Sequence, residues 1–172
     1  LKIHTQYSIC EGAIKIDNLK DFCKEKKIPC LGLSDTSNLC GALEFAENIS
    51  KVGTQPIIGT QIYFRFEDTT GLLPLIALNE NGYKRIIELS SRSYLENDAL
   101  SDPHLDIKEL LIDTEGVSLF SGTIQGLFGK LFEKGRLDEI SKLYKSLSSK
   151  FNDNFYLEIQ RHGDQNEIAF EK

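Results

Sequence analysis

Four side chains that could bind a metal ion follow predicted strands in this sequence. His4 ends the apolar run LKIH and Glu11 lies in the loop behind it, Asp35 follows the run CLGLS, and His162 follows FYLEIQ. Imidazole and carboxylate groups that converge on metal ions are the ligands of hydrolytic centres. The chemistry that these residue types indicate is metal-dependent hydrolysis.

The elements that would position these side chains alternate between strands and helices. Alternation of this kind, with nearly continuous apolar strands, is typical of a parallel sheet covered by helices, in which chemistry lies at the carboxyl ends of the strands. A barrel and an open doubly wound sheet both fit the pattern. We predict strands over residues 1–4, 30–34, 55–66, 72–78, 116–122 and 155–160, and helices over 18–27, 41–52, 80–95, 106–112 and, with breaks, up to residue 150.

Helical periodicity also predicts which side chains are buried. The third strand is expected to continue beyond the sheet as an exposed hairpin arm, because its far end alternates apolar and polar residues. The expected inward faces are Leu19, Phe22 and Cys23 on the first helix, and Leu43, Ala46, Ile49 and Val52 on the second.

Composition limits the classes of function. The 172 residues are 40% hydrophobic and 27% charged, with a mean hydropathy of −0.26 and a net charge of −6. No apolar run approaches the roughly 18 residues of a membrane span, and an acidic domain gains no counterion release on nucleic acid phosphates. The four cysteines form no C-x-x-C pair, which favours reduced thiols in a cytoplasmic protein over a zinc site. The absence of Met and the closing stretch NEIAFEK lead us to expect a part of a longer polypeptide.

Structural roles compete with the metal-binding interpretation. His4 could be a hydrogen-bonded structural histidine, and Asp35 could cap the loop before the second helix. No G-x-G-x-x-G, G-x-x-x-x-G-K-[ST] or G-x-S-x-G motif supports nucleotide binding or acyl transfer. From the residues alone, these alternatives stay open.

Five stretches resemble one family in order along nearly the whole chain: LKIHTQYSICEG, LGLSDTSNLCGALEF, QPIIGTQIYF, LIALNENGYKRIIELSSRSY and FYLEIQRHG. They are similar to the N-terminal PHP (polymerase and histidinol phosphatase) domain of bacterial DNA polymerase III alpha subunits. The resemblance implies an α/β fold, a distorted TIM-like barrel of about seven strands, incomplete at the C-terminus here. Residues 1–172 would be one PHP domain fragment, ahead of the polymerase palm, thumb and fingers.

Family members with a working site bind several metal ions, and their first ligands can be placed on this sequence. The opening His-x-His appears as Lys2-Ile3-His4, which keeps only the second imidazole. The acidic residue that follows, usually Asp, is Glu11. The Asp-His pair after the second strand is Asp35-Thr36, which keeps the carboxylate and loses the imidazole.

The later ligands are lost as well. The Glu of the third strand is Gln61, the His that opens the fourth strand is Leu72, and the Cys after the fifth strand is Thr123. Gln61 removes a negative charge and Leu72 removes a ligand. We therefore assign neither metal ligands nor catalytic residues, and predict a vestigial phosphoesterase pocket instead.

Lys2 would place an ammonium group where a cation should bind. Two like charges about 4 Å apart repel by roughly 4 kcal/mol at an effective dielectric constant of about 20. We hypothesise that Lys2 pairs with Glu11 or Asp35, so that a salt-bridged network replaces the ions.

The resemblance to family members with a degenerate pocket implies a silent scaffold that docks the proofreading exonuclease subunit. The full-length protein would be a DNA-directed DNA polymerase that uses Mg²⁺ and contacts DNA, the sliding clamp and other replisome subunits, in the cytoplasm and without a membrane. No cofactor is expected for residues 1–172. The alternatives are residual metal-dependent 3′–5′ exonuclease or phosphoesterase activity through His4, Glu11 and Asp35, and an unrelated α/β binding module.

Overall fold

A computed structural model describes residues 2–98, 100–163 and 165–171. Seven strands form one sheet that curls into a half-barrel, in the order β1-β2-β3-β4-β6-β7, with β5 beside the far end of β3. This confirms the predicted α/β class and the barrel-like curvature. The strands are β1 Lys2–Ile3, β2 Cys30–Thr36, β3 Gln55–Phe66, β4 Thr69–Ala77, β5 Leu105–Asp106, β6 Val117–Phe120 and β7 Phe155–Tyr156.

Helices cover the strands. Asn79 caps the amino end of α3 by accepting a hydrogen bond from the Gly82 amide at 2.9 Å, and Asp106 caps α4 through the Lys108 amide at 3.0 Å. Within the described residues, none of the helices has the length and apolar character needed to cross a membrane. The helices are α1 Ile16–Lys26, α2 Ala42–Ser50, α3 Glu80–Leu95, α4 Ile107–Ile112, α5 Leu127–Glu133, α6 Leu137–Phe151 and α7 Glu167–Phe170.

The sheet is mixed, so the expectation of an all-parallel sheet was wrong for β4. This strand runs antiparallel to both of its neighbours, β3 and β6. Only Glu67 and Asp68 separate β3 from β4, and Glu67 has a φ of 53°. A two-residue connection can join only antiparallel strands, whereas a parallel pair needs a long crossover. The β3–β4 hairpin is also not an exposed arm, because Ile62 and Phe64 are fully buried.

Two apolar clusters make up the core. A smaller one lies between α1, α2 and β2, and a larger one surrounds β3, β4 and β6. The predicted inward faces were partly wrong: Leu19 and Cys23 are buried, but Phe22 is 46% exposed. On α2, Phe45 is buried and Leu43 is 72% exposed, so the inward face is shifted, because the large aromatic ring of Phe45 fills the interior.

Several element ends also differ from the sequence-based expectation. The predicted strand over 116–122 covers only Val117–Phe120, and the predicted strand over 155–160 is regular only at Phe155–Tyr156. Strand β5 was missed because two residues are too few to show a period of two.

Phe64→Ala tests the importance of the central hairpin. Removing a fully buried ring leaves a cavity, so the free energy of unfolding should fall by about 3–5 kcal/mol. The matched control is Phe22→Ala, which removes a half-exposed ring and should cost less than about 1 kcal/mol. Urea unfolding followed by circular dichroism measures both. Equal losses would contradict the assignment of β3 to the core.

Candidate functional site

A polar cavity of about 500 Å³, which we call the mouth cavity, lies beside the carboxyl end of β1 and the middle of β3 and β4. Its wall also includes the loop after β6 and the segment after β7. Six of the eight residues predicted for the vestigial pocket line this cavity, whereas Asp35 and Thr36 do not. The six are Lys2, His4, Glu11, Gln61, Leu72 and Thr123, and Gln125, Gln160, His162 and Glu167 lie beside them.

Asp35 supports the cavity from behind. It lies within β2, and its side chain is fully buried. One carboxylate oxygen accepts hydrogen bonds from the Thr5 amide at 2.6 Å and the Ser8 hydroxyl at 2.7 Å, and the other accepts one from the Thr5 hydroxyl at 2.6 Å. Asp35 therefore fixes the loop that connects His4 to Glu11. The alternative that Asp35 caps the loop before the second helix was wrong, since its carboxylate contacts the loop after β1.

Thr36 and Gln61 extend this support to Glu11. The Gln61 amide nitrogen donates to the Thr36 hydroxyl at 2.7 Å, and that hydroxyl donates to the Glu11 carboxylate. Glu11 is also close enough to Tyr63 for its charge, together with the larger effect of burial, to raise the pKa of that phenol. The side chains of Gln61, Thr36 and Glu11 thus form one hydrogen-bonded series.

A further contact fixes the other side of the same loop. The Tyr7 hydroxyl donates to the Glu44 carboxylate on α2 at 2.8 Å. This hydrogen bond and the charge of Glu44 raise the pKa of Tyr7. The loop is therefore attached to both β2 and α2.

Lys2, which lines the mouth cavity, forms an ion pair, but not with the partners we expected. Its ammonium nitrogen lies 2.8 Å and 3.1 Å from the two carboxylate oxygens of Glu158. The hypothesis of pairing with Glu11 or Asp35 was wrong, because those carboxylates already accept hydrogen bonds from side chains near them. Sequence reasoning missed Glu158; the available signal was a single acidic residue inside the apolar run FYLEIQ.

The two histidines at the cavity differ in their contacts. His4 is partly buried, and its Nδ1 is a buried atom with no hydrogen-bond partner in the described structure. The Nε2 of His162 lies 2.9 Å from the Gln160 amide oxygen, and the His162 amide donates to the Glu167 carboxylate at 3.0 Å. His162 is therefore held mainly by its own chain segment.

The remaining predicted residues add no charge. Leu72 lies in the middle of β4 opposite Tyr63, rather than at the start of a strand as predicted. The Thr123 hydroxyl accepts a hydrogen bond from the backbone amide of Gln125 at 3.3 Å. Among residues 2–98, 100–163 and 165–171, no three His, Cys, Asp or Glu side chains converge as a metal site would require. What the cavity wall offers is the Lys2 ammonium group, the imidazoles of His4 and His162, the carboxylates of Glu11 and Glu167, and side-chain amides.

Asp35→Asn should destabilise the protein by about 2–3 kcal/mol, since it removes charge-assisted hydrogen bonds and replaces one acceptor oxygen with an amide donor that faces other donors. Asp21→Asn, on the exposed face of α1, is the matched control and should change the free energy of unfolding by less than about 0.5 kcal/mol. Urea unfolding at neutral pH gives both values. If Asp35→Asn matches its control, the carboxylate does not hold the loop.

Comparison with known proteins gives the following similarities. The profile of the PHP domain family matches residues 1–162. DNA polymerase III subunit alpha from Caulobacter vibrioides is 37% identical over 180 aligned residues, which cover 99% of this chain and 16% of that protein. The subunit from Borreliella burgdorferi is 33% identical and covers 95% of this chain and 15% of its own length.

The chain thus spans about a sixth of the length of these curated relatives. Among solved structures, an amidohydrolase from Chromobacterium violaceum has a TM-score of 0.45 at 15% identity, over 55% of this chain and 32% of that one.

Proposed function

Because the chain belongs to the PHP domain family, we propose that it is the PHP domain of a DNA polymerase III alpha subunit and acts as a catalytically silent scaffold. In this role it would stabilise the polymerase and dock the proofreading exonuclease subunit. The similarity to alpha subunits over 99% of the chain supports the first part of the proposal.

The observation that carries the proposal of silence is the position of Lys2. Its side chain lines the mouth cavity, where a divalent cation would have to bind, and it is held by Glu158, which does not line that cavity. The neighbouring Gln61 is neutral and engaged by Thr36, and Leu72 has no donor atom. A multinuclear centre needs several charged or imidazole ligands for each ion, and among the described residues no three His, Cys, Asp or Glu side chains converge in this way.

The proposal extends to the longer polypeptide as DNA-directed DNA synthesis with Mg²⁺, in the cytoplasm, in contact with DNA, the sliding clamp and other replisome subunits. The relatives named as alpha subunits are about six times longer than this chain. No residue of this chain is assigned to nucleotidyl transfer.

One observation favours a second candidate, a residual metal-dependent phosphoesterase or 3′–5′ exonuclease. His4 and Glu11 line the same cavity, and the Nδ1 of His4 has no partner. Asp35 was expected to take part in this activity, but its carboxylate accepts hydrogen bonds from Thr5 and Ser8 of the supporting loop.

Metal content separates the two candidates. After incubation with Zn²⁺ or Mn²⁺ and gel filtration, the chain should retain less than about 0.1 ion per molecule, because ligands must converge for a stable site. Hydrolysis of a phosphodiester substrate and of single-stranded DNA 3′ ends should stay at background and be unchanged by His4→Ala.

A variant with restored ligands is the positive control for this measurement. It should bind metal more tightly than the wild type, since it recovers imidazole, carboxylate and thiolate donors. Stoichiometric metal in the wild type, with turnover lost in His4→Ala, would establish the second candidate instead. The substitutions are Lys2→His, Gln61→Glu, Leu72→His and Thr123→Cys.

Docking is tested by biolayer interferometry between the chain and a purified proofreading exonuclease subunit. We expect binding, and we expect the ligand-restored variant to bind equally well, because a scaffold surface does not depend on the mouth cavity. Absence of binding at about 100 µM would contradict the docking role while leaving the proposal of silence intact.

A further inference from the structure

The two outer strands of the described sheet are not joined by a backbone ladder. In this part of the chain, β1 pairs only with β2 and β7 pairs only with β6. Lys2 on β1 and Glu158, two residues beyond β7, are 156 positions apart, yet their side chains meet at 2.8 Å. The two sides of the half-barrel are thus linked by side chains.

Each end of this link is attached to the sheet. The backbone of Lys2 is in register with Gly32 of β2. The backbone amide of Glu158 donates to the hydroxyl of Ser121, just beyond β6, at 2.9 Å. The side-chain amide of Gln160 donates to the Glu158 carboxylate at 2.7 Å. Each charged group therefore belongs to a segment whose backbone is hydrogen-bonded to the sheet or to a residue beside it.

The environment of the pair is partly desolvated. The side chains of Lys2 and Glu158 are 19% and 13% exposed, whereas those of the Lys84–Glu80 pair on α3 are 67% and 79% exposed. Separating charges in such an environment leaves each without full solvation, and salt screens buried pairs much less than exposed ones. At high salt concentration, the Lys2–Glu158 contact should accordingly persist, whereas the exposed Lys84–Glu80 contact should weaken.

Lys2 contributes to the walls of two cavities. Lys2 lines the mouth cavity, and both Lys2 and Glu158 line a second cavity of about 680 Å³ beside Ile57, Ser118 and Tyr156. Because Lys2 belongs to both walls, we expect its displacement to change the shape of the mouth cavity.

We propose that the Lys2–Glu158 ion pair is a clasp that holds β1 to the segment after β7, and thereby sets the curl of the half-barrel and the width of the mouth cavity. The clasp does not depend on whether the cavity binds metal or whether the domain docks an exonuclease. The test of the clasp is separate from the tests of metal binding and exonuclease docking. The clasp is tested by local opening of the backbone, whereas the other two are tested by metal content and partner binding.

Hydrogen–deuterium exchange with mass spectrometry on the full chain tests the clasp. Lys2→Met and Glu158→Gln should each make peptides over residues 2–8 and 155–162 exchange about tenfold faster, because each removes one half of the link. Peptides over 59–66, in the central hairpin, should not change. The effect should remain in high salt.

Two further variants make the test specific. The charge swap Lys2→Glu with Glu158→Lys should return exchange to within about threefold of the wild type, since the attraction is restored. Lys84→Met, in the exposed pair, should leave both outer peptides unchanged. Unchanged exchange in both single variants, equal acceleration over 59–66, or no recovery in the swap would each overturn the proposal.

Discussion

The carboxylate of Asp35 is fully buried, and it is stable there because three donors from a single loop surround it. A buried charge without partners costs far more than folding can supply, so the loop must close over this group whenever β2 joins the sheet. That closure places His4 and Glu11 at the cavity. The geometry of the mouth therefore depends on a residue that does not line it.

A second constraint is the short connection between β3 and β4. It reverses the chain within two residues and puts β4 between β3 and β6, with Ile62 and Phe64 fully buried beneath the helices. The remaining strand pairs, β1–β2, β2–β3, β3–β5 and β6–β7, are parallel, so the carboxyl ends of these strands lie at one end of the sheet. The antiparallel strand β4 thus completes the wall of the half-barrel, while the parallel strands on both sides of it keep their carboxyl ends at the same end of the sheet.

The polar groups of the mouth are engaged with one another. Gln61, Thr36 and Glu11 form one hydrogen-bonded series, and Lys2 and Glu158 form an ion pair on the other side. The Lys2–Glu158 pair is the more desolvated of these contacts, and it satisfies two charges that would otherwise be costly to bury. In a metal centre, bonds to the ions stabilise the polar side chains of the site. In this cavity, hydrogen bonds between the side chains stabilise them instead.

The sequence by itself determined the alternation of strands and helices, the PHP resemblance and six of the residues at the mouth, because strand ends and local motifs are written in contiguous residues. Only the tertiary structure decided that Asp35 faces the loop after β1, that Leu43 is outside while Phe45 is inside, and that Lys2 pairs with Glu158. These outcomes depend on which side chains from distant segments compete for one buried space. Glu158 lies 156 positions from Lys2, and no local pattern records that the curl of the sheet brings the two charges together.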